Sequence, residues 1–184
     1  MKPQGIDRLK NGQERLNQLS ASFCLVKWRH AALNFASGTV KSCCHLPFRS
    51  VDLKSTDRGY QLHDTTDDQQ ERIQMIKGQK PKSCEYCWAM EDLGHYSDRI
   101  DWSSQNWMEE DFKNENLKSN QFARSPTWLE LNFSSKCNLK CSYCSPIYSH
   151  RWEQEIREHG HYPTNPGHNN LKYMQDVNFD KPYD

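Results

Sequence analysis

The chain has 184 residues, enough for one ordinary domain or two small ones. Its 24 basic and 24 acidic side chains cancel, which removes any general electrostatic attraction to nucleic acid or to an anionic membrane. Only 35% of residues are hydrophobic and mean hydropathy is -1.03, low for a core held by burial alone, so bound metal is the expected additional organiser.

From Met1 to Ser22 polar and charged residues alternate. No apolar stretch in the chain has the length of a signal sequence or a membrane span, which predicts a cytosolic protein. In that compartment thiols stay reduced, so the eight cysteines are expected to ligate metal and not to pair as disulfides. Ile6, Leu9, Leu16 and Leu19 recur at roughly helical spacing, with Asn11-Gly12 interrupting the run, so residues 1–22 read as a leader containing a broken or weak helix.

Two short strand-like runs follow, Trp28 to Phe35 and Thr39 to His45, joined at Ser37-Gly38. A tight hairpin there needs a positive φ, which glycine supplies. Arg49 to Asp68 is polar and reads as a loop, leading to a helix over Asp68 to Lys77 with Gly78 as its cap. Pro81 then precedes Cys84-Glu85-Tyr86-Cys87 and a short helix up to Gly94, which sets both thiols near a helix N-terminus, where the backbone dipole favours thiolates. Asp98 to Gln121 is charged with scattered aromatics and reads as an irregular connector, covering 96–126.

Thr127 to Phe133 alternates, with Leu129, Leu131 and Phe133 on one face, and is expected to be a strand. Ser149 to His159 is expected to be helical, with Glu153 and Arg157 paired at i,i+4 spacing. Between them lies Cys137-Asn138-Leu139-Lys140-Cys141-Ser142-Tyr143-Cys144, a C-x3-C-x2-C run. A cubane iron-sulfur cluster takes one thiolate per iron, and short spacers let one loop wrap three of its corners while the fourth iron stays open. A zinc knuckle, or three reduced thiols with no ligand, is the plainer alternative.

This strand, loop and helix, with aromatic Tyr143 just before the third cysteine, resembles the signature loop of the radical S-adenosylmethionine (radical SAM) superfamily. The resemblance implies that Cys137, Cys141 and Cys144 ligate a 4Fe-4S cluster whose open iron binds S-adenosylmethionine, with Tyr143 in the cofactor loop. It further implies reductive cleavage of S-adenosylmethionine to a 5′-deoxyadenosyl radical that abstracts hydrogen from a substrate. An electron donor such as flavodoxin or ferredoxin would serve it.

Upstream, Cys24 is followed by thirteen residues, Gly38, four residues and Cys43, and later by Cys84-x2-Cys87. With Phe23-Cys24, Trp28-x-His30, Gly38-Thr39-Val40, the Cys43-Cys44 doublet and Pro81-x2-Cys84, the pattern resembles the auxiliary-cluster half-module called twitch, a shortened SPASM extension. The family often has a proline before the tryptophan, where this chain has Lys27. Cys24, Cys43, Cys84 and Cys87 would close a second 4Fe-4S cluster that binds no S-adenosylmethionine and serves electron transfer or stapling of the fold. Cys44 would be spare. Cys43 is chosen over Cys44 on the Gly38 spacing, and adjacent strand residues point oppositely, so one of the two is expected to face the cluster. Four thiolates are also ordinary zinc chemistry, and a structural zinc site stays open as an alternative. His30 and His45 are assigned no ligand role. The tryptophans read as packing residues, because no basic groove accompanies them.

The expected organisation is therefore α/β and α+β. A small Cys-rich module with a β-hairpin (23–95) follows the leader, and after the connector the first strand-loop-helix unit of a partial radical SAM (β/α) barrel occupies 127–184. Barrels of this kind need on the order of 200 residues or more, and 40 follow Cys144. No Gly-Gly-Glu segment of the family's type is present, so a C-terminally incomplete chain is expected, one that binds clusters more readily than it turns over S-adenosylmethionine. Related auxiliary-cluster enzymes often modify peptides, which suggests a peptide or other small substrate. A non-catalytic zinc-binding interaction module and a cluster-bearing electron-transfer or scaffold protein are the competing functions.

Overall fold

The computed structural model describes residues 3–52, 62–113, 126–134, 136–142, 144–146 and 148–160. They form a mixed α/β structure with one small four-stranded sheet and six α-helices among the described residues. None of these helices is long and apolar enough to cross a membrane.

The first helix, α1 (Pro3–Leu19), is continuous, so the expected break at Asn11-Gly12 does not occur. Glycine is there for contact. A Cβ built on Gly12 would lie 1.6 Å from Ser104 Oγ, so the missing side chain lets α1 approach the end of α5 (Asp98–Ser103). Arg8 reinforces the same packing, donating to the Asp101 carbonyl at 3.0 Å, while Leu9 and Leu16 turn inward.

Trp28 sits in a short helix, α2 (Val26–Arg29), and not in the first strand, where its ring stacks on Phe23 at 4.4 Å. Strand β1 (His30–Asn34) then runs antiparallel to β2 (Thr39–Lys41), which pairs in turn with β3 (Arg49–Ser50). At Gly38 φ is 61°, which gives the hairpin its expected turn residue. Strand β2 ends earlier than the expected Thr39 to His45 run, and the chain bends from Ser42 onward.

Helix α3 (Thr66–Ile76) begins where the Thr65 side chain accepts a hydrogen bond from Asp68 N at 3.2 Å. A single 3-10 turn (Lys82–Cys84) leads into α4 (Glu85–Asp92), and α5 is followed by a second 3-10 stretch (Asn106–Lys113). Within the stretch expected to be a connector, Ile100 and Met108 are fully buried in the same cluster as Leu9, Leu16, Leu25, Trp28, Met75 and Trp88. This stretch is core as far as it is described.

Strand β4 (Trp128–Asn132) returns to the sheet parallel to β1, giving the order β3-β2-β1-β4 with His30 opposite Trp128 and Asn34 opposite Asn132. A parallel pair requires a crossover, and α3, α4 and α5 supply it. The edge strand leaves Leu129, Leu131 and Phe133 half-exposed. After the three-cysteine loop comes α6 (His150–His159), whose apolar anchor is the buried Ile156.

Low apolar content is offset inside by paired charge. Lys27, Asp68, Arg72 and Arg99 are all buried, and each has an ionic partner. Arg99 grips Glu91 with two nitrogens at 2.8 and 2.7 Å and donates its third to the Phe23 carbonyl at 2.7 Å.

Candidate metal centre

Five cysteines from three distant places in the chain meet at one cavity. Cys24 lies just before α2, Cys84 is the residue preceding α4, and Cys87 is in the first turn of that helix. Cys43 follows β2. The thiol-bearing residues Cys24, Cys43, Cys44, Cys84 and Cys87 all line this cavity, between the apolar walls of Val26, Leu46, Met75, Trp88, Trp102 and Trp128. Lys27, His30, His45, Asp98 and Arg99 complete the lining.

Both members of the Cys43-Cys44 doublet face the cavity, contrary to the expectation that only one would. The strand rule fails because neither residue is on a strand: the chain turns here, with Leu46 N bonded to the Cys43 carbonyl at 3.2 Å. Cys43 is half-buried and Cys44 exposed.

The electrostatics reflect how closely the thiols crowd. Burial, with added repulsion from Cys87 and Cys84, pushes the Cys24 thiol up to about 12. Burial raises Cys87 to about 11 against the Arg99 backbone N–H and the Ser97 side chain, which bond its sulfur and favour the thiolate. Cys84 is raised by burial as well, with Lys27 and a hydrogen bond from Ser83 opposing. Its hydrogen bond with Cys43 raises Cys44 most, with burial adding. At neutral pH such thiols keep their protons until a cation displaces them, and N–H and O–H donors aimed at sulfur are the surroundings a thiolate-bound cluster takes.

His30 and His45, to which the sequence assigned no role, are both on the cavity wall. His30 Nε2 lies 3.1 Å from Glu130 Oε1, and its ring packs edge-on to Trp128. His45 Nε2 lies 2.5 Å from Asp98 Oδ2, and its ring stacks on Tyr86 at 3.9 Å. Asp98 also went unnoticed in sequence, since it is fifty-three positions from His45 and belongs to no motif.

The three-cysteine loop is elsewhere. Cys137, Cys141 and Cys144 are half-buried in the segment that leaves the C-terminal end of β4, and none of them lines the first cavity. Helix α6 secures the loop through its carbonyls. Ser149 Oγ lies 2.6 Å from the Leu139 oxygen and 3.3 Å from the Cys137 oxygen, and Trp152 Nε1 donates to the Cys141 oxygen at 3.0 Å. Cys144 N closes a turn onto the Cys141 carbonyl at 3.0 Å. Lys140 is ion-paired with Glu155 and sits over the Trp152 ring at 4.8 Å. The carbonyls of Cys137, Leu139 and Cys141 are thus held by the helix, and the Cys144 thiol lies 3.7 Å from the Ser145 oxygen. Tyr143 lies outside the described residues.

Trp128 begins β4 at the cavity, and the segment that carries the loop leaves the other end of the strand. Its four residue steps span roughly 13 Å. No family model matches the chain, and neither does any curated protein or solved structure.

Proposed function

We propose that the chain is an iron-sulfur protein of the radical SAM type with two metal centres. Cys24, Cys43, Cys84 and Cys87 hold an auxiliary 4Fe-4S cluster within a twitch-like module, and Cys137, Cys141 and Cys144 hold three corners of a second, open one. The observation that carries this reading is the convergence of four cysteines, as far apart in sequence as Cys24 and Cys87, on one apolar-walled cavity separate from the three-cysteine loop.

The donor sets fit these groups. Three loop thiols leave a fourth iron open, while four cavity thiols close every corner. In a tetrahedral zinc site, bonds of about 2.3 Å hold the sulfurs about 3.8 Å apart. Among the described residues, no three of the cavity thiols have their sulfurs all within 4.8 Å of one another. Cys137, Cys141 and Cys144 would hold a cluster whose open iron would take S-adenosylmethionine and which would supply one electron for reductive cleavage of its sulfonium.

The chain's own residues do the rest. Ser149 and Trp152 fix the loop backbone so that its thiols stay free for metal. The Arg99 backbone N–H is aimed at the Cys87 sulfur, and the Ser83 hydroxyl lies 3.8 Å from the Cys84 sulfur. Two centres in one chain would suit an electron relay from a flavodoxin or ferredoxin to a peptide or other small substrate in the cytoplasm.

Anaerobic reconstitution with iron and sulfide, followed by metal and sulfide analysis, tests the reading. Two cubanes correspond to about eight irons per chain, falling to about four in Cys84→Ser and about four in Cys141→Ser. Zinc bound in place of iron, with no acid-labile sulfide, would favour the zinc-binding interaction module.

A further inference from the structure

We propose that Cys44, His45 and Asp98 form a separate mononuclear site for a divalent, zinc-like cation at the mouth of the auxiliary cavity. Among the described residues these three are the group whose ligand atoms, a sulfur, an imidazole nitrogen and a carboxylate oxygen, all lie within 4.8 Å of one another. His45 Nε2 and Asp98 Oδ2 are 2.5 Å apart, and the His45 ring is held by its stack on Tyr86, 3.9 Å away and tilted by 20°. The nitrogen and oxygen therefore arrive together from two different elements, the turn after β2 and the start of α5.

The donor chemistry selects the ion. Sulfur, imidazole and carboxylate together suit a borderline cation such as zinc, and are poor company for magnesium or calcium, which take oxygen ligands. Zinc bonds of about 2.0 to 2.3 Å on a tetrahedron place the ligand atoms roughly 3.3 to 3.8 Å apart, so an adjustment on the order of 1 Å closes the site. Binding converts the Cys44 thiol to thiolate and releases that proton to water, while the proton shared by His45 Nε2 and Asp98 Oδ2 moves to His45 Nδ1 or to water, so that two metal bonds replace the hydrogen bond. Three protein ligands and an exposed Cys44 leave a fourth position that water or a substrate donor can occupy, the arrangement of a reactive zinc site.

The inference rests on the proposed function only in assigning Cys43, and not Cys44, to the auxiliary cluster. It is tested on the full chain after anaerobic cluster reconstitution, with zinc as the sole added ion. Zinc retained through gel filtration is counted and its first shell read by X-ray absorption at the zinc edge. The expected result is one zinc per chain, with one sulfur and the remaining ligands nitrogen or oxygen. Zinc retention should fall more than about tenfold in Cys44→Ser and in His45→Gln, with iron and sulfide content unchanged. A four-sulfur zinc shell, no retained zinc, or retention indifferent to both substitutions would overturn the site. Failure of the cluster assignment reads differently, as an absence of iron and sulfide before zinc is added, and a mixed-ligand zinc lost in Cys44→Ser would then still support this site.

Discussion

Lys27 Nζ lies 2.8 Å from Asp68 Oδ1, with both side chains sealed from solvent. Ser42 donates to the same carboxylate oxygen at 2.5 Å, Thr65 donates to the other at 2.6 Å, and Glu71 and Arg49 extend the group to two positive and two negative charges. Lys27 stands where the resemblance leads one to expect proline. It is the hub that joins α2, the turn after β2, and α3.

Removing one partner of such a pair strands a buried charge, so Lys27→Met should cost about 3 to 5 kcal/mol in chemical denaturation. The double variant Lys27→Met/Asp68→Asn should recover part of that loss. A double-variant loss equal to the sum of the two single losses would show that the pair is not coupled.

The same group sets an acid limit on stability. Burial alone would raise the Asp68 carboxyl, but adjacent Lys27 and the hydrogen bonds from Lys27, Ser42 and Thr65 hold it well below the usual carboxylate range, and Glu71 is lowered by Lys27 in the same way. A carboxyl depressed in the folded state contributes fully above its unfolded value, near 4, and loses that contribution as pH falls through the folded value. Stability measured against pH should therefore fall with acidification below about pH 4. In Asp68→Asn that acid-side slope should be shallower.

Gly12 separates helix propensity from contact. On propensity alone, Gly12→Ala should stabilise α1 by roughly 1 kcal/mol. The Ser104 hydroxyl 1.6 Å from the added methyl reverses the sign, and a loss of about 1 to 3 kcal/mol is expected. Combining Gly12→Ala with Ser104→Gly should restore much of it, measured by thermal unfolding.

Ser149 caps α6 and also touches two carbonyls of the cysteine loop. Ser149→Ala should cost about 1 kcal/mol of stability. It should also speed loss of iron from the loop centre, followed by iron release to a chelator in a Cys84→Ser background, and leave release from the auxiliary centre unchanged in a Cys141→Ser background.

Much of this structure is legible locally. Strand β4 follows from the alternation of Leu129, Leu131 and Phe133, the β1–β2 hairpin from Ser37-Gly38, and α4 from the residues after Pro81. What escapes local reading depends on distant partners. Gly12 looks like a helix breaker until Ser104 is placed beside it, and Trp28 belongs to a helix because its ring is needed against Phe23. The parallel pairing of β1 with β4 joins residues about a hundred positions apart, so no window of sequence reveals it. The resemblance grouped Cys24, Cys43, Cys84 and Cys87, and these four line one cavity together with Cys44. That Cys44 comes beside His45 and Asp98 depends on a bend that sequence alternation misread as strand.

The most direct measurement is electron paramagnetic resonance of the reduced, reconstituted chain with and without S-adenosylmethionine. If the loop holds an open cluster, adding S-adenosylmethionine should shift one of two cluster signals, and Cys141→Ser should abolish the responsive signal while Cys24→Ser leaves it. Two signals that both ignore S-adenosylmethionine, or a response that survives Cys141→Ser, would contradict the assignment.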